Sequence, residues 1–268
     1  VRLGGQTVNQ PGASGARLVA GAMGELALGQ ADTALVVSGD RTSNGPHVYY
    51  PAPAGPGGTG FSEDWVMDNF SADPWAKNAM VQTAENVAGR VGIETAEQHD
   101  LVIHRYGQYQ AALADNRAFQ RRYMADRTEV KDARGRKVVA VLEGDEGVQA
   151  VDAEKMATLK PVIPGGTVTF AGQTHPGDGN AGMVVVSSAE RAKEIAPDGP
   201  LIELLSTGQA REEKGFMPAA PIKAASIALD RAGLTIADID VIKSHNPFAV
   251  NDIAFARAFD IDWRGMNN

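Results

Sequence analysis

The most constraining feature of the sequence is a strand, a glycine-rich turn and a helix in immediate succession near the start of the chain. The stretch TVNQPGASGARLVAGAMGEL covers residues 7–26, and Leu18, Ala22 and Leu26 recur every four residues. This spacing predicts a helix with one buried stripe. The apolar run TALVVSGD at 33–40 predicts a strand after it. A strand, a helix and a strand in this order favour a parallel sheet covered by helices.

The composition narrows the classes of protein to which this chain can belong. With 268 residues, 43% of them hydrophobic, the chain is long enough to bury a large core. The formal net charge of −8 argues against a nucleic-acid-binding surface or a polybasic membrane anchor. The absence of cysteine excludes disulfides, cysteine-based metal sites and thiol nucleophiles.

Hydropathy and the two ends of the chain give further expectations. The sequence has no run of 18 apolar residues and no signal-peptide pattern, so we expect no membrane span and a cytoplasmic location. The chain starts at Val1 and ends in the polar stretch RGMNN, which predicts an internal fragment of a longer protein.

The pattern departs from the opening sheet between residues 43 and 182. Residues 44–62 hold four prolines and five glycines, which predicts an excursion without regular structure. Helical periodicity follows over 74–124, where Thr95 and Gln98 have the spacing of a capping box. We therefore expect an insertion between two parts of one sheet.

Apolar runs after the insertion predict that the sheet resumes. The glycine-rich loop AGQTHPGDGNAG leads into Met183–Val186, which we expect to be buried on both faces. Further strands are predicted at 201–206 and 240–244, on either side of a helix over 218–232. The loop lacks both glycine spacings of nucleotide-binding loops, so a nucleoside triphosphate site is not expected.

The order of these segments resembles the thiolase family of acyl-CoA C-acyltransferases. VNQPGASG resembles the family's V-N-x-x-C-x-S-G turn, and MVQTAENVA resembles its M-G-x-T-A-E-N-x-A stretch. The glycine-rich loop resembles T-A-G-N-A-S-G-x-N-D-G, and HNPF resembles the N-E-A-F turn. The resemblance implies an α/β, thiolase-like layered fold: two similar halves with covered mixed sheets, plus an inserted loop domain. It assigns residues 1–42 and 183–197 to the N-terminal half, 43–182 to the loop domain and 198–268 to the C-terminal half.

Two motifs depart from the family's pattern. Gly12 stands where the family has the cysteine that takes the acyl group, whereas by itself it indicates only a tight turn. His245 and Asn246 replace the first two residues of N-E-A-F, as in the H-D-x-F turn of the lipid-transfer and archaeal branches. The resemblance implies that His245 donates to a thioester oxygen, directly or through water. From the residues alone, His245 is more simply interpreted as a capping or core histidine. Ser14 is interpreted as a helix cap rather than a nucleophile.

The resemblance also implies where a substrate would lie. The glycine-rich loop is expected along the pantetheine arm of coenzyme A, with either Thr174 or His175 at the position of the family's serine. Met80 and Phe248 are expected to form apolar walls. Coenzyme A and its acyl thioesters are thus implied as substrates, with no permanently bound cofactor.

The remaining expectations concern metals and partners. His99 and His104 lie five residues apart on a predicted helix, not four, so no metal is expected. The resemblance implies a homodimer or tetramer, or pairing with a second subunit.

Two functions remain open at this point. The first is a thiolase-type acyltransferase that cleaves or condenses 3-oxoacyl-CoA thioesters, with its nucleophile replaced in this copy. The second is a naturally inactive subunit that binds acyl-CoA or a partner subunit without acyl transfer. They differ because an acyl-enzyme requires a nucleophilic side chain, which Gly12 lacks.

Overall fold

The computed structural model describes residues 4–42, 45–175 and 177–267. The chain divides into two compact units. The first unit is drawn from residues 1–69, 176–210 and 223–235, and the second from 70–175, 211–222 and 236–268. The division predicted from the resemblance, at residues 43, 183 and 198, stays a prediction.

Helix α1 packs on a two-stranded sheet in the first unit. α1 spans Ser14–Ala27, β1 spans Thr33–Asp40 and β6, the last of the described strands, spans Gly179–Val186. The predicted buried stripe of α1 is present, since Ala22 and Leu26 are buried. They belong to a small core whose four buried members are Ala22, Leu26, Val36 and Val185.

The pairing of β1 with β6 corrects two expectations. The strands are antiparallel, with Thr33 opposite Val186, so the parallel pairing expected from strand order is wrong for the described strands. β6 is not buried on both faces either, because Met183 and Val184 are 46% and 54% exposed. An antiparallel sheet commonly packs one face on a core and leaves the other outside it.

A hairpin occupies part of the stretch for which no regular structure was expected. β2 (His47–Tyr50) pairs antiparallel with β3 (Phe61–Asp64). The rings of Tyr50 and Phe61 stack with centroids 4.8 Å apart. At Gly60 an added Cβ would lie 2.0 Å from the Tyr50 carbonyl oxygen, so only glycine fits there. Most of the prolines and glycines lie between the two strands, where they do not interrupt the pairing.

The predicted strand at 201–206 is wrong, because these residues pair with no strand in the described parts of the chain. The end of the segment instead contacts helix α8 (Ala220–Ala232). Ser206 Oγ donates to the Ala228 carbonyl at 2.6 Å. Apolar composition alone does not make a strand, since each strand needs a partner for its backbone groups.

The main core lies in the second unit and is built by three helices: α3 (Met80–Val91), α4 (Thr95–Ala112) and α9 (Ala249–Phe259). Its fully buried large apolar side chains are Val87, Ile93, Leu101, Val168, Val250, Ile253 and Met266. The prediction of a capping box at the start of α4 is wrong, because the N-cap is Glu94 and Thr95 Oγ1 donates to the Thr167 carbonyl at 2.8 Å.

Shorter elements complete the description. Among the described residues they are α2 (Met67–Ser71), α5 (Ala114–Arg117), β4 (Thr128–Lys131), β5 (Val138–Leu142), α6 (Ala153–Ala157) and α7 (Ala189–Ile195). β4 and β5 form an antiparallel hairpin. In the parts of the chain that the structure describes, we find no helix with the length and apolar character needed to cross a bilayer.

The strand predicted at 240–244 is also wrong. This segment is held by single contacts near the end of the described chain and not by a ladder. The backbone N–H of Asn267 donates to the Ile242 carbonyl at 2.9 Å, and the Ser244 N–H donates to Asn267 Oδ1 at 2.8 Å.

Candidate functional site

Gly12 lies at the apex of a tight turn that precedes α1. The Ala13 N–H donates to the Gln10 carbonyl at 2.8 Å, and Gly12 has φ +73°. Pro11 before a glycine with positive φ is the signature of a type II turn. The local sequence therefore specifies the turn, and its apex has no side chain.

Ser14 closes this turn and does not cap the helix as expected. Its Oγ donates to the Gln10 carbonyl and accepts from the Gln10 N–H, both at 2.9 Å. The N-cap of α1 is Ala13, and no side chain caps the first turn. The hydroxyl is thus committed to the turn, and the helix N-terminus keeps N–H groups without a side-chain acceptor.

In the second unit, the backbone joins the start of the glycine-rich loop to the HNPF turn. Gln173 and Phe248 form an isolated antiparallel bridge. Beside it, the Thr174 N–H donates to the Pro247 carbonyl at 2.8 Å. Two segments that the sequence assigned to one binding site are therefore neighbours in the structure.

The predicted substrate-contacting residues differ in exposure. Phe248 is buried in the main core, and Met80 is half-buried and packs against that core. Thr174 and His175 are exposed, and the His175 ring meets the edge of Phe170 with centroids 5.3 Å apart. This combination of an apolar base with an exposed polar loop is compatible with either Thr174 or His175 facing a ligand.

His245 is exposed, which argues against a core histidine. The N-cap residue of α9 is Phe248, so His245 does not cap that helix either. Its side chain makes no hydrogen bond within the described residues. The imidazole is therefore available to an external partner.

A clamp that the sequence analysis did not anticipate anchors residues 166–169, the segment just before the glycine-rich loop, from the side of α3. Glu85 Oε1 accepts from the Thr167 N–H at 2.9 Å and from the Val168 N–H at 2.8 Å. At Gly166 an added Cβ would lie 2.1 Å from the same oxygen, so a side chain there would displace the Glu85 carboxylate from these two bonds. Glu85 lies within the TAEN motif, which was the available signal.

A buried histidine supports the same segment. His99 Nε2 lies 2.8 Å from Thr169 Oγ1, and His99 is only 9% exposed. Burial lowers the pKa of His99 below its ordinary value, while the neighbouring Asp100 opposes that shift. The sequence analysis considered His99 only as a metal ligand and gave no signal for this contact.

A separate open cavity of about 310 Å³ lies in the second unit and contains none of the predicted site residues. It is lined by Tyr109, Leu113, Arg117 and residues 143–146. Burial raises the pKa of Tyr109, and Asp145 adds to the shift.

Comparison with known families gives a match over almost the whole chain. The thiolase N-terminal domain matches residues 3–189, and the thiolase C-terminal domain matches residues 199–268. Both motifs that depart from the family's pattern, around Gly12 and His245, lie inside these matches.

Several characterised proteins are similar in sequence. Beta-ketothiolase BktB of Cupriavidus necator is 29% identical over 98% of this chain and 68% of its own length. Acetyl-CoA acetyltransferase of Paracoccus denitrificans is 30% identical over 96% of this chain and 63% of its own length. The human mitochondrial acetyl-CoA acetyltransferase is 30% identical over 97% of this chain and 60% of its own length. The chain thus spans roughly two thirds of the length of these relatives.

Solved structures agree. Human mitochondrial 3-ketoacyl-CoA thiolase superposes with a TM-score of 0.80 at 25% identity, over 96% of this chain and 64% of that one. Acetyl-CoA acetyltransferase from Syntrophomonas wolfei superposes with a TM-score of 0.81 at 25% identity, over 95% of this chain and 64% of that one. The expected layered α/β fold is therefore confirmed.

Proposed function

Because this chain belongs to the thiolase family, we propose that it binds acyl-CoA thioesters and forms no acyl-enzyme at residue 12. The observation that carries the proposal is the backbone junction between the glycine-rich loop and the HNPF turn. The junction keeps the loop expected along the pantetheine arm beside the turn that carries His245.

The role proposed for each residue comes from the resemblance to the thiolase family, and its environment is compatible with that role. The exposed His245 imidazole would donate to the thioester oxygen, and Thr174 or His175 would contact the pantetheine arm. Met80 and Phe248 would form the apolar wall beneath it. Coenzyme A would enter as part of the substrate and not as a resident cofactor.

The turn at residue 12 favours binding without covalent transfer. A thiolase needs a thiolate there, which attacks the thioester carbonyl carbon and releases the thiolate of coenzyme A. Gly12 supplies no sulfur, and its left-handed backbone costs a residue with a side chain about 1–2 kcal/mol. The turn formed by Pro11 and Gly12 thus favours glycine as the natural residue at position 12.

Isothermal titration calorimetry with acetoacetyl-CoA tests the binding. We expect saturable binding to the wild-type protein and no mass increase after incubation with acetyl-CoA. An absence of heat for both acetoacetyl-CoA and free coenzyme A, or an acetyl adduct on the wild-type protein, would contradict the proposal.

An acyltransferase with a replaced nucleophile is the second candidate. It is favoured by the α1 N-terminus, which no side chain caps, since free N–H groups and the helix dipole would lower the pKa of a thiol. Gly12→Cys should then gain one acetyl group from acetyl-CoA by mass spectrometry, with Gly12→Ala as the control for backbone strain. An unmodified Gly12→Cys would exclude this candidate.

Assembly and location remain proposals as well. We propose that the protein forms a homo-oligomer, as the resemblance implies, in the cytoplasm. Light scattering of the purified protein tests the first point, and a single-chain mass would overturn it.

A further inference from the structure

Asp252 is a buried carboxylate in the first turn of α9. Its side chain is fully buried and accepts four hydrogen bonds. The four donors are Arg105 Nη2 at 2.8 Å, Asn246 Nδ2 at 2.8 Å, Asn267 Nδ2 at 3.0 Å and Ser244 Oγ. Because an ionised carboxylate only accepts hydrogen bonds, this set of four donors suits it.

Two of the four donors flank His245. Ser244 binds one oxygen of Asp252 through its hydroxyl, and Asn246 binds the other through its amide nitrogen. His245 lies between them and is exposed, with no side-chain hydrogen bond in the described chain. The carboxylate therefore fixes the residues on both sides of the histidine and leaves its ring free.

The other two donors give this arrangement a rigid base. Arg105, on α4, also donates to the Trp263 carbonyl at 3.0 Å and to the Met266 carbonyl at 2.8 Å. Asn267 Nδ2 donates to Ser244 Oγ at 2.8 Å as well as to Asp252. The guanidinium and the asparagine thus tie the carboxylate to α4 and to residues 263–267.

Joining α4 to α9 does not require this buried pair. The two helices are already linked by Arg257 Nη2 and Glu97 Oε2, 2.5 Å apart near the surface. A buried ion pair is weak evidence for stability, because well-packed apolar residues often serve as well or better. The position of the Arg105–Asp252 pair beside an exposed histidine points to a role in fixing the conformation of the turn.

We propose that Asp252 is the positioning residue of the HNPF turn. It acts through Ser244 and Asn246 to set the direction in which His245 meets a thioester oxygen. The proposal rests on the proposed function, since it assumes that the turn contacts an acyl-CoA thioester. The proposal goes further in one respect: the hydrogen bonds of Asp252 contribute to recognition of the thioester group and not of the pantetheine arm.

The test compares two ligands across matched variants of the full chain. Affinities for acetoacetyl-CoA and for free coenzyme A are measured by calorimetry for wild type, Asp252→Asn and Glu97→Gln. Asp252→Asn keeps the shape but places an amide nitrogen among donors. We expect it to weaken acetoacetyl-CoA binding about tenfold, as the loss of one oriented hydrogen bond would, and coenzyme A binding by less than about twofold.

Glu97→Gln is the matched control, because it alters the other link between α4 and α9 and leaves the turn untouched. It should change neither affinity, and Asp252→Glu should recover part of the preference for the thioester. Equal weakening of both ligands in Asp252→Asn, or an unchanged preference, would overturn the positioning role.

A second variant and a second readout cover the remaining outcomes. If Asp252→Asn does not fold, Asn246→Ala removes one arm of the network while keeping the ion pair, and the same selective loss is expected. If wild type binds neither ligand, the proposed function fails. The hydrogen bond between Asn246 and Asp252 is then tested by NMR. If the side-chain amide of Asn246 exchanges equally fast in wild type and in Asp252→Asn, this hydrogen bond and the positioning role are refuted.

Discussion

Two turns of this molecule, at Gly12 in the first unit and at His245 in the second, are held in opposite ways. The Gly12 turn is closed by bonds spanning at most four residues, between Gln10 and either Ala13 or Ser14. The His245 turn depends on Asp252 and on Arg105, which lies 147 residues from Asp252 in sequence. The first turn therefore depends on a few neighbouring residues, whereas the second depends on contacts between distant parts of the chain.

The largest effect is expected from removing the carboxylate of the second turn. Asp252→Ala leaves the Arg105 guanidinium buried without its partner, which should lower the free energy of unfolding by about 3–5 kcal/mol. Glu97→Gln should cost about 0–1 kcal/mol, since it breaks a more exposed pair on the same helices. Urea denaturation measures both, and equal losses would erase the contrast.

The two cores should also differ in their sensitivity to the same substitution. Leu101 is 2% exposed in the main core, and Leu26 is 8% exposed in the four-residue core of the first unit. Leu101→Ala should cost about 2–5 kcal/mol, while Leu26→Ala should lie at or below the lower end of that range. Chemical denaturation compares them, and a larger loss for Leu26→Ala would reverse the order.

The Gly12 turn should respond weakly, through its backbone. Gly12→Ala should destabilise by about 1–2 kcal/mol, because φ is +73°. Gly15→Ala, in the first turn of α1, is the paired control: its Cβ would lie 3.6 Å from Ser38 Oγ, an ordinary contact. It should gain up to about 1 kcal/mol of helix stability. A loss at Gly15 that matches the loss at Gly12 would remove backbone strain as the cause.

The smallest effect is expected from pH, through His99, which contacts the segment just before the glycine-rich loop. Burial lowers its folded-state pKa below the unfolded value, so the unfolded chain binds more protons between the two. The contribution of His99 is fully present above the unfolded pKa of about 6.5 and declines as pH falls below it, by at most about 1.4 kcal/mol per unit. His99→Gln should flatten this slope, as denaturation at pH 7.5, 6.5 and 5.5 would show, and an unchanged slope would contradict this role of His99.

Much of the helical structure was predictable, because periodic apolar spacing is a local property. The spacing of Leu18, Ala22 and Leu26 identified α1, and the helical pattern over 74–124 contained α3 and α4. The strands at 201–206 and 240–244 were predicted wrongly from the same kind of pattern. Whether an apolar run becomes a strand depends on a partner elsewhere in the chain.

The residues proposed for the candidate site stay predictions, and their supports were not predictable from the sequence. Motif resemblance pointed to Thr174 or His175 on one segment and to His245 and Phe248 on another, and the structure shows that these two segments are neighbours. It gave no indication of Asp252, nor of Thr169 as the partner of His99. Such partners come together only after the helices pack.

The sequence by itself determined the family and the tight turn at residue 12, because motif order and the pair Pro11–Gly12 act over a few residues. It also determined that this turn has no nucleophile. Only the tertiary structure decided which histidine is buried and which is exposed. His99 and His245 are chemically identical, and their difference arises from the elements packed around them: Thr169 against the first, and Ser244 and Asn246 held by Asp252 on either side of the second.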